Sequence, residues 1–133
     1  MLIYLDTNIV VYLVERPLDL GSRATALITE LKARGDQFAI SHVVRMECKV
    51  KPLASRDHHQ LGAYDAFFAG GALLTLELTG EVFDRAAEIR AFHSLRALDA
   101  LHLAAALVGG CEAFLTNDAR LSSFPDLRVM LLS

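Results

Sequence analysis

Residues 2–14 carry the sequence LIYLDTNIVVYLV, and this stretch decides the fold class. Leu2–Leu5 is an apolar run that predicts a short buried strand, and residues 9–14 are apolar enough to predict a short helix. Residues 6–8, Asp-Thr-Asn, form a polar turn between the two. A strand that passes directly into a helix in this way is typical of α/β proteins.

The same alternation continues along the chain. Further strands are predicted at residues 38–41, 73–78, 113–116 and 128–132, and further helices at residues 42–49, 57–68, 79–95 and 99–108. Another helix is predicted to start at Ser22 as its N-cap and to end at Gly35. The step into Pro52 is predicted to end the helix that begins at His42. Strands alternating with helices predict a single three-layer α/β/α domain, residues 1–133, with a mostly parallel central sheet.

Composition sets the outer limits of function. The chain has 133 residues, 53% of them apolar and 22% charged, which fits one globular domain and excludes a disordered chain. Its formal net charge of −3 argues against a protein that holds nucleic acid by bulk electrostatic attraction. An enzyme that acts on nucleic acid stays open, because bound metal ions can supply the missing positive charge.

Three features indicate a cytoplasmic protein without a membrane segment. Cys48 and Cys111 are too few for a disulfide framework and lack zinc-site spacing, which predicts reduced core thiols. The longest apolar runs, such as residues 97–106, are broken by charged or polar residues and are far shorter than the roughly 20 residues of a membrane span. The opening apolar run meets Asp6 too early for a signal peptide.

Four carboxylates fall at related places in the predicted fold. Asp6 and Asp118 directly follow predicted strands, Glu47 lies on the helix beyond the second strand, and Asp99 opens an apolar helix. Ligands of open α/β sheets bind beyond the carboxyl ends of the strands, so these acids are expected to share one crevice. Carboxylates packed together repel one another unless a cation intervenes, and oxygen ligands suit Mg²⁺ or Mn²⁺. The pattern therefore predicts metal-dependent phosphodiester hydrolysis.

Each acid also has a structural explanation. Asp6 could serve only as a helix N-cap, and Asp118 only as a turn residue. Glu47 could form salt bridges on an exposed helix face. Asp99 is flanked by apolar residues, so burying its charge is costly unless another group pairs with it.

The residues resemble the PIN domain family, and most closely the VapC-type toxins of type II toxin–antitoxin systems. The resemblance rests on residues 4–9 (Tyr-Leu-Asp-Thr-Asn-Ile), Glu47, residues 98–104 (Leu-Asp-Ala-Leu-His-Leu-Ala) and residues 115–118 (Leu-Thr-Asn-Asp). These segments occur in the expected order and span nearly the whole chain. Glu47 is the loosest match.

The resemblance implies a PIN-like endoribonuclease that uses Mg²⁺ or Mn²⁺ and hydrolyses RNA phosphodiester bonds with a metal-activated water. It also implies a cognate antitoxin protein and a homodimer. The implied catalytic and metal-binding residues are Asp6, Glu47, Asp99 and Asp118, and the implied supporting residues are Thr7, Asn8, Thr116 and Asn117.

Other readings stay open beside this one. His102 lies one turn after Asp99 and is expected to be a packed histidine satisfied by a neighbour. Arginines near the acids, Arg96 among them, are candidates for phosphate contacts. A catalytically silent PIN-like module that only binds a partner remains the alternative function. A signalling receiver domain is disfavoured, because that class needs a lysine near the last strand and every lysine here lies in the first half of the chain.

Overall fold

The computed structural model describes residues 1–132 of the chain. Over that range the strands are β1 (Leu2–Leu5), β2 (Gln37–Ser41), β3 (Leu73–Leu76), β4 (Ala113–Thr116) and β5 (Arg128–Leu131). The helices are α1 (Thr7–Glu15), α2 (Leu20–Ala33), α3 (His42–Ala54), α4 (His58–Ala69), α5 (Gly80–His93) and α6 (Ala97–Val108). A single 3₁₀ turn, Ala119–Leu121, follows β4.

The strands form one sheet in the order β3-β2-β1-β4-β5, and each neighbouring pair is parallel. Tyr4 at the centre of the sheet lies opposite Ala39 of β2 and Phe114 of β4. Parallel neighbours need crossover connections, and the helices supply them on both faces. The predicted three-layer α/β/α fold is confirmed, and the sheet within the described residues is wholly parallel.

The core centres on β1 and β4, whose residues are apolar because helices cover both of their faces. Tyr4 and Phe114 are fully buried and stack with ring centroids 5.3 Å apart. Cys48 and Cys111 are buried, as expected of core thiols, and burial raises the pKa of the Cys48 thiol to about 12 and that of the Cys111 thiol to about 11. None of the helices between residues 1 and 132 is long and apolar enough to cross a membrane.

The predicted start of the second helix is wrong. Ser22 lies inside α2, where its hydroxyl donates to the backbone carbonyl of Asp19, the actual N-cap residue. The helix begins earlier because Gly21 allows a close approach to the end of α1: a Cβ on Gly21 would lie 2.6 Å from the Cα of Arg16. The start of α2 therefore depends on two features: the position of the backbone at the end of α1 and the lack of a side chain on Gly21.

The predicted end of the third helix is also wrong. α3 continues through Pro52 to Ala54. Proline at this point removes only one backbone hydrogen bond, and its ring is buried. The N–H groups of Ser55 and Asp57 then bond back to the carbonyls of Lys51 and Pro52, which closes the last turn.

The third strand is shorter than predicted and lies at the edge of the sheet. It ends at Leu76 rather than Leu78, which leaves Glu77 exposed beyond the strand. Leu74 is half exposed because no further strand covers this edge. Leu76 instead packs against the end of α6, where a Cβ on Gly109 would meet its Cδ1 at 2.6 Å.

Candidate functional site

The sheet order places the site. The chain leaves β1 towards β2 and β3 on one side, and β4 and β5 lie on the other, so the order reverses between β1 and β4. Open α/β sheets bind ligands beyond the carboxyl ends of the strands at such a switch point. Asp6 follows β1 and Asp118 follows β4 after Thr116-Asn117, so both acids flank this position. The backbone N–H of Asp6 donates to the carbonyl of Leu115 at 2.9 Å, which holds the two strand ends together.

Asp6 is a buried N-cap. Its backbone is extended, and its Oδ1 accepts a hydrogen bond from the N–H of Thr7 at 2.8 Å. Oδ2 accepts a second bond from the hydroxyl of Thr116 at 2.7 Å. Burial raises the pKa of Asp6 in spite of these bonds, and the nearby charge of Asp99 raises it further. Asp6 therefore caps α1, and it is at the same time a buried carboxylate.

Glu47 lies half-buried on α3 and is held by two side chains. Its Oε1 is 2.5 Å from Nε2 of His102 and accepts a bond from the Thr7 hydroxyl at 2.6 Å. Burial alone would raise the pKa of Glu47, but the hydrogen bonds from His102 and Thr7 outweigh it and hold the pKa below its usual range. Glu47 does not form an exposed salt-bridging face; it stays ionised and points towards α6.

His102 connects Glu47 to the interior of the protein. The imidazole is 1% exposed, and its Nδ1 is 2.8 Å from the hydroxyl of Tyr4. That hydroxyl is in turn 2.8 Å from the hydroxyl of Ser41 at the end of β2. An ionised Glu47 can only accept, so Nε2 of His102 donates to it, while Nδ1 forms a hydrogen bond with the Tyr4 hydroxyl. His102 is the packed, satisfied histidine that was expected, and its partner is one of the candidate site acids.

Asp99 is paired by Arg96, the N-cap residue of its helix. Its Oδ2 accepts from Nε of Arg96 at 3.2 Å. The Asp99 side chain is only 17% exposed, so it lies mostly buried beside Arg96. The pairing group that the apolar flanks of Asp99 require is therefore present at the N-cap of α6.

Asp118 is also held by an arginine. Arg120 donates from Nη2 to Oδ2 at 2.6 Å and from Nε to Oδ1 at 3.0 Å. The hydrogen bonds from Arg120 hold the pKa of Asp118 below its usual range. The carboxylate also accepts from the backbone N–H of Arg120, which caps the 3₁₀ turn. Asp118 thus serves as the turn residue that its sequence context suggests, and it is placed beside the site as well.

The four predicted supporting residues form one hydrogen-bonded cluster at the ends of β1 and β4. Asn8 Nδ2 lies 3.4 Å from the Thr116 hydroxyl, and Asn8 Oδ1 accepts from the Asn117 N–H at 3.1 Å. The Thr116 hydroxyl also accepts from the N–H of Asp118 at 3.0 Å. Thr116 therefore contacts both strand-end acids, while Asn8 and Asn117 fix the loops that carry them and Thr7 bridges to Glu47.

We call the side of the molecule that carries Asp6, Glu47, Asp99 and Asp118 the acidic edge, and two cavities meet there beside Arg96 and Asp99. One of about 240 Å³ is lined by Glu47, Arg96, Ala97, Leu98 and Asp99. The second, about 230 Å³, is lined by Ser94, Leu95, Arg96, Asp99, Arg120 and Leu121. Arg96 and Asp99 form the wall between them. A cavity of about 490 Å³ lies elsewhere, around the turn between α1 and α2, and none of the candidate acids lines it.

The donor set fits a divalent cation in its chemistry, but the acids are not gathered around one point. Within residues 1–132, no three His, Cys, Asp or Glu side chains converge as they would around a metal ion. Asp99 and Asp118 turn towards arginines, and Glu47 turns towards His102. All four acids offer the oxygen donors that Mg²⁺ and Mn²⁺ prefer, and Asp6 carries a buried charge without a full countercharge.

Several partners of the site acids could not be predicted from the sequence. Arg120 was not predicted to contact a site acid, although its position two residues after Asp118 in a turn is a usable signal. The link from Ser41 through Tyr4 to His102 joins β2, β1 and α6, and no local pattern predicts such a long-range contact. His102 was predicted to be a packed histidine, and its contact with Glu47 was not predicted, although its spacing from Asp99 places both residues on one face of α6.

Fold and site together define a single-sheet α/β protein with a buried aspartate, Asp6, at the switch point of its parallel strands. The PIN domain family model matches residues 3–127, nearly the whole chain. The chain therefore belongs to the PIN domain family. A search of curated protein sequences gave no significant match.

Solved structures of toxin–antitoxin proteins share the fold. VapBC2 from Rickettsia felis, bound to a promoter DNA fragment, has a TM-score of 0.82 at 19% identity, with 100% of both chains covered. DNA-bound VapBC from Salmonella typhimurium has a TM-score of 0.76 at 17% identity, again over 100% of both chains. VapC20 from Mycobacterium tuberculosis, a toxin that cleaves the sarcin–ricin loop, has a TM-score of 0.75 at 18% identity, covering 96% of this chain and 98% of its own.

Proposed function

We propose that this chain is a Mg²⁺- or Mn²⁺-dependent endoribonuclease that acts as the toxin of a type II toxin–antitoxin system. The observation that carries the proposal is the buried Asp6 at the switch point, with three further acids brought to the same edge by α3, α6 and the β4 loop. Membership of the PIN domain family and the shared fold with VapC structures support it.

In the proposed site, Asp6, Glu47, Asp99 and Asp118 would hold the cation. A divalent cation bound there would supply Lewis-acid activation of the phosphodiester and of water. The chain's own groups prepare the site: Thr116 and the Thr7 N–H orient Asp6, while His102 and the Thr7 hydroxyl keep Glu47 ionised and fixed. Asp99 and Asp118 can turn inwards once their arginines take another partner.

A cognate antitoxin and a homodimeric state in the cytoplasm belong to the same proposal. VapBC structures from three genera are among those that share the fold, and their names pair a toxin with an antitoxin. An antitoxin partner would keep the acidic edge from substrate until the toxin is released. We infer these features from the fold relationship and from the family resemblance.

The first experiment is a Mg²⁺ and Mn²⁺ titration of the purified chain with a mixed RNA pool. Wild type is compared with Asp6→Asn and with Asp126→Asn, which removes an exposed acid paired with Arg85 outside the site. We expect metal-dependent cleavage by wild type and Asp126→Asn, and a loss of at least 100-fold in Asp6→Asn, the size typical of losing a group that stabilises the transition state.

Equal cleavage by wild type and Asp6→Asn would overturn the assignment of the site. An absence of cleavage by all three proteins, with each folded, would favour the catalytically silent PIN-like partner-binding module. The structure contains one feature in favour of that alternative: Asp99 and Asp118 are already neutralised by arginines of the same chain.

A further inference from the structure

Two arginines border the acidic edge and pair with acids only two or three residues away. Arg96 Nε donates to Asp99 at 3.2 Å, and Arg120 forms a forked pair with Asp118. The arginine side chains are 71% and 62% exposed, whereas their carboxylate partners are only 17% and 21% exposed. Each guanidinium therefore lies over its acid with most of its surface open to solvent.

Both guanidinium groups line the same cavity of about 230 Å³, and Asp99 separates that cavity from the one that contains Glu47. The arginine-lined space therefore directly adjoins the acidic site. The charge of Arg96 also extends beyond its own partner, because it contributes to the lowered pKa values of both Glu47 and Asp118. The acids and arginines form one connected network of charges.

If the proposed function is correct, these acids and arginines must bind RNA, which is a polyanion. The chain has a net charge of −3, so it offers no general attraction to RNA, and a phosphate approaching four carboxylates needs cations beside them. Arginine suits this role because its planar fork matches two phosphate oxygens. Exposed ion pairs contribute little to stability, so each arginine can exchange its carboxylate for a phosphate at small cost.

We propose that Arg96 and Arg120 form a binding site for RNA backbone phosphates next to the acidic edge, and that each leaves its carboxylate when substrate binds. The proposal rests on the proposed ribonuclease function and adds to it the element that positions the strand. In the free protein the two arginines neutralise Asp99 and Asp118, and in the complex they hold phosphates while those acids become available to a cation. Arg96 and Arg120 thus neutralise carboxylates in the free protein and bind phosphates in the RNA complex.

The test measures binding of a labelled single-stranded RNA in Mg²⁺ as a function of salt. All proteins carry Asp6→Asn so that the strand is not cut. Arg96→Gln and Arg120→Gln are compared with Arg85→Gln, which removes the same charge from an exposed arginine–aspartate pair outside the site. We expect each site variant to bind RNA about 3- to 10-fold more weakly. The slope of log K against log salt should fall by roughly 0.7 per lost phosphate contact, with little change for Arg85→Gln.

A second readout uses proteins with Asp6 intact. Arg96→Gln is expected to raise KM while kcat stays within about threefold, because a phosphate contact made in both the bound and the transition state affects binding alone. Arg96→Lys should keep the salt slope and lose part of the affinity, since it keeps the charge and loses the fork.

The outcomes separate this inference from the proposed function. If wild type cleaves RNA but Arg96→Gln and Arg120→Gln match Arg85→Gln in affinity and slope, the phosphate site is wrong and the ribonuclease stands. If wild type neither binds nor cleaves RNA in Mg²⁺ or Mn²⁺, both are wrong.

Discussion

Asp6 and Asp118 carry the same functional group in opposite environments. Burial raises the pKa of Asp6, whereas the hydrogen bonds from Arg120 lower that of Asp118. A folded-state pKa above the unfolded value means that stability falls as pH rises through that pKa. A lowered pKa contributes stability above the unfolded pKa, and this stability is lost as pH falls through the folded value. Ionised Asp6 therefore destabilises the metal-free protein at neutral pH, and ionised Asp118 stabilises it.

Because the pKa values of Asp6 and Asp118 are shifted in opposite directions, replacing each residue by Asn should change Tm in opposite directions. In EDTA at pH 7, Asp6→Asn should raise Tm and Asp118→Asn should lower it, each by a few degrees, since about 1 kcal/mol moves Tm by roughly 3–5 °C in a domain of this size. The Asp6→Asn difference should be lost at pH 3, because Asp6 is then protonated in both states. The Asp118→Asn difference should only begin to shrink there, because its stabilisation is lost as pH falls from the unfolded pKa towards the lowered folded pKa. Thermal melts at the two pH values measure this. A lower Tm for Asp6→Asn at pH 7 would mean that its capping role outweighs the cost of its buried charge.

The Tyr4 hydroxyl is the middle group of two buried hydrogen bonds, one to the Ser41 hydroxyl and one to Nδ1 of His102. Tyr4→Phe keeps the ring that stacks on Phe114 but removes one hydrogen bond from each of two buried groups, the Ser41 hydroxyl and Nδ1 of His102. We expect it to lower the unfolding free energy by about 1–3 kcal/mol in urea titrations. The matched control is Tyr12→Phe, whose hydroxyl accepts an exposed bond from Asn117, with an expected effect below about 0.5 kcal/mol. Similar losses of unfolding free energy in Tyr4→Phe and Tyr12→Phe would show that the buried hydrogen bonds of Tyr4 contribute no more to stability than the exposed one of Tyr12.

Among the elements, helix starts show where local sequence suffices and where it does not. The helix predicted at residues 79–95 does start at Thr79, which caps α5 by accepting from the N–H of Val82 through its hydroxyl. Ser22 looked like an equally good cap, but the position of α2 is decided by its contact with α1 at Gly21. A cap motif predicts a helix start only when no tertiary contact lengthens the helix. Pro52 within α3 illustrates the same limit at a helix end.

This difference predicts unequal effects of removing two helix-start side chains. Asp57 caps α4 by accepting from the N–H of Gln60 at 3.0 Å, so Asp57→Ala should cost about 1 kcal/mol of unfolding free energy. Ser22→Ala should cost nothing or stabilise by up to about 0.5 kcal/mol, because alanine is the better residue inside a helix. Urea denaturation of the two variants compares them. A cost for Ser22→Ala as large as that for Asp57→Ala would restore Ser22 as a cap.

At the scale of the whole molecule, the sheet and the place of the acids could be predicted because both follow from periodicity. Apolar runs predicted the strands, and strand ends predicted where Asp6 and Asp118 would lie. The partners of those acids could not be predicted, because they depend on how helices far apart in sequence pack together. His102 reaches Glu47 across 55 residues, and Thr116 reaches Asp6 across 110.

The same long-range geometry makes cation binding a global property. The four acids lie on the β1–α1 junction, α3, α6 and the β4 loop, so the unfolded chain cannot present them together. A cation that binds only the folded state stabilises it by RT ln(1 + [L]/Kd), about 2.7 kcal/mol at 100 times Kd. Mn²⁺ at that excess should therefore raise the Tm of wild type by roughly 10 °C, reversibly in EDTA.

The variants decide whether that shift reports the proposed site. Asp126→Asn should retain the full Mn²⁺ shift, because its carboxylate pairs with Arg85 away from the acidic edge. Asp6→Asn should lose most of it, although its Tm without metal is expected to be higher than that of wild type. Arg96→Gln should retain the shift or enlarge it, because removing the guanidinium frees Asp99 without removing a donor oxygen. Equal Mn²⁺-induced Tm shifts in wild type and Asp6→Asn would place the bound cation elsewhere. Asp6 is the buried carboxylate at the switch point, so a cation bound there would lose a ligand in Asp6→Asn.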